Sequence, residues 1–492
     1  MRSLLPFFFR LARLIKVREI IILLLFPFST IVSAGGESQY LETRKIVVLD
    51  DGSSGSRLVA FFFGRNNTDE EFRLIRSSKI IQASALKEED GGLTDDSAEK
   101  IVTMLNENSN QPNSQSMLFL GMTAGKREDR LGAGRLLKMI RSKLIKFGVD
   151  EHKHSLELRV LDGSMEGAYN WLGVNYVYAD SKNSYGIVEL GGASAQIAYK
   201  WLADTKVQVN DDQSEEGDKN FLLFESGYDR NKTHTLFARS QMGFGLNKAY
   251  KGYEHLHPEV MTRHCEAADS SSYVDFKACK ESMEELFVVK ETEPKNQFIW
   301  QQAEQDARSA MPDTYYLSGY FYDYTVDMGL RSHLTVEQLE KAAKYACDNF
   351  TVKALDEALA SKNSENEINL FKDFEATLPP MTKERVVTLP SDFVYSGSFK
   401  PAKSNQYCGT LTYMASLLEH FGLQPHHNLV IVKSFKFEGK TYPATWTAGY
   451  AYARANGYKI TLLDDQLSEK EALEELMHTS LMPPARNVAE TK

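Results

Sequence analysis

The hydrophobic pattern of the chain consists of short apolar runs that break into segments rich in glycine and hydroxyl residues. The stretch VVLDDGSSGSR, residues 47–57, passes from apolar residues into Asp-Gly and Ser-Gly-Ser. The stretch GIVELGGASAQI, residues 186–197, repeats this pattern with one acidic residue and two adjacent glycines. Apolar runs that end in such turn residues are typical of buried strands followed by tight hairpins. The pattern therefore predicts two strand–turn–strand units in distant parts of the chain.

The first hairpin has the residue types that bind an anion. Its turn and flanks contain two glycines, three serines and one arginine: Gly52, Gly55, Ser53, Ser54, Ser56 and Arg57. Backbone amides in such a turn form a concave array of donors, and glycine lets the main chain approach a ligand closely. Asp50, which ends the apolar run, is a candidate ligand of a divalent cation. An ordinary Asp-Gly hairpin without a ligand is the alternative.

The second hairpin repeats this chemistry. When the two stretches are aligned, Glu189 falls on Asp50 and Gln196 falls on Arg57. The intervening turn consists of small residues, namely Gly191, Gly192, Ala193 and Ser194. Two similar hairpins about one domain length apart predict two related lobes that hold one nucleotide between them. A chance pairing of two glycine-rich turns is the alternative.

A third segment, MLFLGMTAGKRED at residues 117–129, runs from an apolar strand into a helix that we expect to stop at Gly148. Its Gly-Lys pair does not form a P-loop, because three residues instead of four separate the glycines and Arg127 follows the lysine. Thr123 and Arg127 are candidates to reach a terminal phosphate at the helix start. A helix start without a ligand is the alternative.

A fourth segment, LDGSMEGAYNWLGVNY at residues 161–176, places Glu166 at a polar break before an aromatic helix. Hydrolysis of a phosphoanhydride requires a fixed base that deprotonates water, and a carboxylate near two phosphate-binding hairpins could serve. The alternative is a glutamate that only interacts favourably with the helix dipole.

Composition narrows the class of protein. The 492 residues are 42% hydrophobic and 25% charged, which predicts a folded protein of more than one domain. The formal net charge of −10 argues against a nucleic-acid partner, because binding to the phosphate backbone depends on clustered Lys and Arg.

The N-terminus predicts export. Basic residues precede the apolar stretch at residues 20–32, and Val32-Ser33-Ala34 forms a small-residue cleavage site. We therefore assign residues 1–34 to a secretory signal peptide, or to an uncleaved signal anchor that would attach the protein to a membrane. The predicted location is secreted, periplasmic or lumenal.

Four cysteines fit an oxidising compartment and allow three pairings. We favour Cys265 with Cys279 and Cys347 with Cys408, because the first pair closes a short loop. Free buried thiols are the alternative.

In this order, the four segments resemble the first four conserved regions of the apyrase family, the nucleoside triphosphate diphosphohydrolases. DDGSSGSR resembles the family's D-A-G-S-S-G-T-R, and MTAGKR resembles A-T-A-G-M-R. EGAYNWLGVNY resembles E-G-x-x-x-W-x-x-x-N-Y, and ELGGASAQI resembles D-L-G-G-A-S-T-Q-I. With weaker echoes further on, the resemblance spans about residues 45 to 451.

The resemblance implies an α/β fold of two actin-like lobes, RNase H-like and of the ASKHA superfamily, with the active site in the cleft between them. Lobe I would comprise residues 35–164 and 446–485, and lobe II residues 165–445. The implied activity is that of an apyrase, which hydrolyses nucleoside triphosphates and diphosphates with Mg²⁺ or Ca²⁺. The resemblance does not indicate the oligomeric state.

The resemblance also implies a role for each matching residue. Glu166 would be the general base, Ser194 and Gln196 would position the attacking water, and Asp50 and Glu189 would hold the cation. The residues along or near the phosphates would be Ser53, Ser54, Gly192, Ala193, Thr123 and Arg127. For the nucleobase, Tyr322 is the candidate, followed by Tyr324.

Three residues depart from the family pattern: Asp51 replaces alanine, Glu189 replaces aspartate and Ala195 replaces threonine. Asp51 would either add a carboxylate beside the metal ligand or point away from it.

Three alternative functions stay open. They are a hydrolase similar to exopolyphosphatases and guanosine pentaphosphate phosphatases, an actin-like nucleotide switch without rapid hydrolysis, and an inactive nucleotide-binding relative.

Overall fold

The computed structural model of the chain describes residues 40–461 except for 54, 67–68, 70, 79, 84–85, 89–91, 107–113, 128, 179–184, 202–220, 226–232, 250–263, 293–310, 362–368, 380–403, 438–439 and 444. The proposed signal segment, residues 1–34, lies outside the described residues. Within the described part, no helix has both the length and the apolar character that a membrane span needs.

The first sheet has six strands: β1 (Glu42–Gly52), β2 (Gly55–Arg65), β3 (Arg73–Ser77), β4 (Ile81–Ala83), β5 (Ser114–Met122) and β6 (His154–Val160). Its order is β3-β2-β1-β5-β6, and β4, which is outside this order, also pairs with β2. Strands β1, β5 and β6 are parallel, whereas β2 runs antiparallel to β1. The predicted first hairpin is therefore β1–β2.

Strand β1 is buried on both faces, and its side chains alternate between two cores. Val47 and Leu49 pack into the core that covers the outer face of the sheet. Ile46 and Val48 pack into the core between the two sheets. Because successive side chains of a strand point to opposite faces, Asp50 continues the inward face and Asp51 the outward face.

The outer face of the first sheet is covered by α1 (Asp95–Asn106) and α3 (Arg130–Lys146), and the short α2 (Ala124–Arg127) precedes α3. Helix α3 begins after Asp129, whose side chain accepts a hydrogen bond from Gly132 N at 2.9 Å. It ends before Gly148, which has a φ of 106° that favours glycine. The predicted helix and its glycine stop are confirmed.

The second sheet has eight strands: β7 (Gly186–Leu190), β8 (Ser194–Lys200), β9 (Phe221–Glu225), β10 (Thr233–Met242), β11 (Thr314–Gly319), β12 (His333–Thr335), β13 (Asn428–Ile431) and β16 (Lys459–Thr461). Their order is β12-β13-β11-β7-β8-β10-β9-β16. Strands β14 (Ser434–Phe437) and β15 (Lys440–Pro443) form a separate two-stranded sheet.

The two large sheets repeat one topology. The central strands β10-β8-β7-β11-β13 of the second sheet follow the same chain order and direction as β3-β2-β1-β5-β6 of the first. The hairpin β7–β8 therefore occupies the same place in its sheet as β1–β2 does in the other. This repetition confirms the predicted α/β fold of two actin-like lobes.

The remaining described helices mostly cover the second sheet: α5 (Phe276–Thr292), α6 (Tyr320–Tyr324), α7 (Val336–Asn349), α8 (Val352–Ser361), α9 (Lys372–Glu375) and α10 (Tyr407–His420). Disulfides Cys265–Cys279 and Cys347–Cys408 lie in the core beneath them, with Cα atoms 4.7 and 4.8 Å apart. The favoured cysteine pairing is confirmed.

Two helices lie between the sheets. Helix α4 (Gly163–Leu172), which continues into a π-helical turn at Gly173–Tyr178, packs against β8 and β10, and α11 (Trp446–Ala455) packs against α4 and β1. Aromatic rings fill this layer, with Phe119 stacked on Tyr450 at 3.7 Å between ring centroids. These helices begin next to the two positions, residues 164 and 446, at which the chain is predicted to pass from one lobe to the other. The lobe boundaries themselves stay a prediction, and β16 pairs with β9 of the second sheet.

Candidate active site

A cleft of about 440 Å³ separates the two hairpins, and both of them line it. From the first sheet come Asp50, Ser53 and Arg57, and from the second come Glu189 and Ser194. Thr123, which follows β5, and Glu166, on helix α4, complete its walls. The topology explains this convergence, because the two hairpins are equivalent elements of repeated sheets.

The first hairpin closes with Gly52 opposite Gly55, and Gly55 has a φ of 147° that glycine adopts most readily. Ser53 lies at its tip, and the predicted phosphate-binding residue Ser54 lies outside the described residues. Arg57 is opposite Asp50 in the register, and its Nη1 lies 3.4 Å from Asp50 Oδ2. The Arg57 side chain is 46% exposed. The Arg57 guanidinium can therefore contact a ligand in the cleft as well as Asp50.

The second hairpin is supported from behind by residues 243–248. Backbone amides of Gly243, Leu246 and Lys248 donate to three consecutive carbonyl groups of the turn, at 2.9 to 3.1 Å. Gly245 lies so close that a Cβ atom on it would be 2.3 Å from the amide nitrogens of Ala193 and Ser194. The sequence showed this segment only as a weak echo of the family.

The tips of the two hairpins approach each other across the cleft. A Cβ atom on Gly192 would lie 2.7 Å from Ser53 Oγ. Helix α2 also approaches the first tip, because a Cβ atom on Gly125 would lie 3.2 Å from Ser53 Cα. The absence of side chains at these glycines leaves the backbone of both turns accessible at one place.

Glu166 reaches the cleft from the first turn of α4. Asp162 caps this helix, and its side chain accepts from Ser164 N at 2.8 Å and from Met165 N at 3.3 Å. The Glu166 side chain is 10% exposed, and its Oε2 accepts a hydrogen bond from Arg127 Nη2. Arg127 Nε also donates to Leu161 O at 2.7 Å. Arg127 thus holds the Glu166 carboxylate in place, and it does not itself line the cleft.

Gln196 and Ser194 form a buried polar pair beside Glu166. Gln196 Nε2 donates to Ser194 Oγ at 2.6 Å and to Ser240 Oγ of strand β10 at 3.0 Å. These two bonds fix the amide group. Ser240 therefore supports the pair, although nothing in the sequence singled it out.

Three carboxyl groups with few opposing charges dominate the electrostatics of the cleft. Burial raises the pKa of Asp50 to about 7, against the opposing effect of Arg57 and with added repulsion from Glu166. Burial likewise raises the pKa of Glu189 to about 8, and repulsion from Glu166 and Asp50 adds to the shift. Both carboxyl groups would ionise more readily if positive charge entered the cleft.

This donor set fits a hard divalent cation held by few protein ligands. Asp50 and Glu189 offer carboxylate oxygens from opposite hairpins, and burial together with repulsion from Glu166 raises the pKa of both. Among the described residues, no three Asp, Glu, His or Cys side chains lie close enough to hold one ion together. Mg²⁺ is commonly bound in this way, through one or two carboxylates together with water and phosphate oxygens.

Asp51 points away from the cleft, which decides between the two expectations for it. It is fully buried, and its Oδ1 accepts from Ser56 Oγ at 2.7 Å and from Leu86 N at 2.9 Å. Ser56 is thereby engaged on the outer side of the sheet. Asp51 and Ser56 thus join the first hairpin to the segment around residue 86.

The aromatic residues of α6 differ in where they lie. Tyr320 lines the cleft, and Asn247 Nδ2 donates to its hydroxyl group at 3.3 Å. Tyr322 is not part of that lining, and Lys433 Nζ lies 5.3 Å from the centre of its ring. Tyr324 is buried in the second lobe. The sequence pattern favoured Tyr322 for the nucleobase and did not single out Tyr320, and the nucleobase assignment stays a prediction.

The chain is similar to known proteins over most of its length. A sequence model described as the GDA1/CD39 (nucleoside phosphatase) family matches residues 38–378. The "Probable apyrase 2" of Oryza sativa subsp. japonica is 26% identical over 474 residues, which cover 86% of this chain and 89% of that protein. The "Apyrase" of Solanum tuberosum is 22% identical over 453 residues, covering 82% of this chain and 86% of that protein.

A solved structure, that of nucleoside triphosphate hydrolases from Neospora caninum, aligns with a TM-score of 0.44 and 14% identity. It covers 89% of this chain and 96% of that one.

Proposed function

Because the chain belongs to the GDA1/CD39 family of nucleoside phosphatases, we propose that it is an apyrase, which releases phosphate from nucleoside triphosphates and diphosphates with the help of Mg²⁺ or Ca²⁺. The observation that carries the proposal is the convergence of two equivalent hairpins on one cleft with Glu166 in its wall. The polyphosphate of the substrate lies alongside the two tips, at Ser53 and Gly192.

Glu166 is the general base of the proposed reaction. A water molecule loses its proton to the Glu166 carboxylate while its oxygen bonds to the terminal phosphorus. The bond from phosphorus to the bridging oxygen breaks in the same displacement, and the shortened nucleotide leaves with the electron pair. Ser194 and Gln196 orient the water, a role supported by the bonds that fix the Gln196 amide.

Negative charge that builds up on the phosphoryl oxygens is stabilised by backbone amides of both turns, by Thr123 and by Arg57. The exposure of Arg57 to the cleft supports this role. Arg127 remains a candidate near the terminal phosphate, and its ion pair supports a second role in holding Glu166. For the nucleobase, the lining of the cleft supports Tyr320 beside the earlier candidate Tyr322.

Asp50 and Glu189 would hold the cation, because both carboxylates line the cleft. When bound, it would neutralise charge on the phosphate oxygens.

The protein is also proposed to be exported, and the two disulfides support an oxidising compartment.

The proposal is tested by measuring phosphate release from ATP, ADP, GTP, UDP and AMP by the purified full-length protein. We expect release from the triphosphates and diphosphates with Mg²⁺ or Ca²⁺, none from AMP, and none with EDTA. Polyphosphate and guanosine pentaphosphate are assayed separately as alternative substrates. Preference for either of these would favour the exopolyphosphatase-like alternative. Tight nucleotide binding without turnover would favour a nucleotide switch or an inactive relative.

A further inference from the structure

Asn170 lies on helix α4 one turn after Glu166, so the two side chains project from the same side of the helix. It is 3% exposed, and its Nδ2 donates to Glu189 Oε2 at 2.8 Å. The same nitrogen lies 3.4 Å from Ser318 Oγ on the neighbouring strand β11. Asn170 therefore connects the helix that carries the candidate base with the strand that carries a candidate cation ligand.

The length of the Glu189 side chain gives this contact its importance. Glutamate has one more rotatable bond than the aspartate of the family pattern, so fixing its carboxylate costs more conformational entropy. Among the described residues, Asn170 is the one whose side chain donates a hydrogen bond to the Glu189 carboxylate. It engages one oxygen of the carboxylate, so Oε1 stays available to a further ligand.

We propose that Asn170 is a positioning residue that fixes the Glu189 carboxylate for cation binding and compensates for the longer side chain at that position. The inference rests on the proposed function. Hydrogen bonds from outside the coordination sphere orient ligating carboxylates, and their loss typically lowers metal affinity or activity by about 10–100-fold. An aspartate at position 189 would draw its oxygens back by about one bond length, beyond hydrogen-bonding distance from Asn170.

A double-mutant cycle with Asn170→Ala and Glu189→Asp tests this proposal. Two quantities are measured: the Mg²⁺ concentration that gives half-maximal hydrolysis, and the rise in melting temperature that MgCl₂ or CaCl₂ causes in the presence of an imido analogue of ATP. We expect Asn170→Ala to raise the half-maximal Mg²⁺ concentration about 10–100-fold. In the Glu189→Asp background, the same substitution should change it less than about threefold, because the contact is already lost.

Asn175→Ala is the matched control. Asn175 is a buried amide that follows the same helix, and its Nδ2 donates to the carbonyl groups of Trp171 and Tyr185 at 3.0 Å and not to Glu189. It should lower the melting temperature in EDTA without changing the Mg²⁺ dependence. If Asn170→Ala does not fold, Asn170→Leu removes the amide but keeps the branched shape of the side chain.

Equal effects of Asn170→Ala in both backgrounds would overturn the inference, as would an unchanged Mg²⁺ dependence. A wild-type protein that gains thermal stability from the cation but hydrolyses no nucleotide would instead refute the proposed function, and the melting temperatures would still test Asn170. A wild-type protein whose melting temperature responds to neither cation would refute the inference.

Discussion

Glu166 is held by an ion pair in the wall of the cleft. At the scale of single residues, a substitution can remove its ability to accept a proton while it keeps the size of the side chain. We expect Glu166→Gln to lower kcat by about 10²–10⁴-fold, because the amide cannot accept the proton of the attacking water. Nucleotide affinity should change little. Phosphate release and equilibrium nucleotide binding measure the two effects.

Glu99→Gln is the control for this substitution, since Glu99 is an exposed glutamate on α1. It should leave both quantities unchanged. Full activity of Glu166→Gln would exclude Glu166 as the base.

The two arginines at the candidate site, Arg57 and Arg127, should behave differently. Arg57 lines the cleft and its side chain is 46% exposed, so Arg57→Met should raise KM about 10–100-fold through loss of a charged contact with phosphate. The Arg127 side chain is 13% exposed and contacts Glu166, so Arg127→Met should mainly lower kcat and should also destabilise the protein by about 3–5 kcal/mol. Steady-state kinetics and urea unfolding separate the two patterns. The same KM effect for both would contradict these assignments.

At the scale of elements, the second hairpin depends on the segment that supports it. A Cβ atom at position 245 would meet backbone nitrogens at 2.3 Å, so Gly245→Ala must displace the turn. We expect kcat/KM to fall at least about tenfold, because the donors of a preorganised anion site would move. Gly167→Ala is the control, since its Cβ would come no closer than 3.4 Å to a neighbour. Equal activity of both variants would contradict this dependence.

The turn between α10 and β13 contains a histidine whose charge state affects stability. Gln424 N donates to His427 Nδ1 at 2.6 Å, so the buried ring must be neutral at that nitrogen. Burial lowers the pKa of His427, with His426 adding to the shift and Asp313 opposing it. The unfolded chain therefore binds more protons than the folded one below the usual pKa of about 6.5, and stability falls as the pH falls.

His427→Asn tests this dependence, because the asparagine oxygen can accept the same hydrogen bond without titrating. We expect urea unfolding to show a smaller loss of stability between pH 7.5 and pH 5.5 in this variant than in the wild type. An equal loss would show that His427 does not contribute.

At the scale of the whole molecule, the ligand should join the two lobes, because the hairpins belong to different sheets. We expect ATP with Mg²⁺ to raise the melting temperature of the Glu166→Gln protein, with a stabilisation of about 2.7 kcal/mol at 100 times Kd. ATP with EDTA should stabilise less. Adding Asp50→Asn and Glu189→Gln should remove the contribution of the cation. A cation effect that survives both substitutions would place its site elsewhere.

Much of the fold could be predicted because the informative patterns are local. The apolar runs and turn residues around Asp50 and Glu189 located both hairpins, and the spacing of apolar residues located the helix that stops at Gly148. The sequence alone therefore located the two hairpins, the helix that ends before Gly148 and the polar residues at their ends.

Contacts between residues far apart in the chain were decided only by the tertiary structure. The approach of Gly192 to Ser53, the ion pair of Arg127 with Glu166 and the bond from Asn170 to Glu189 each join separate elements. That Tyr320 and not Tyr322 lines the cleft depended on where α6 begins, because each step along a helix turns the side chain by about 100°. Local patterns fix the period of each element, but the relative placement of elements follows from how their buried faces pack together.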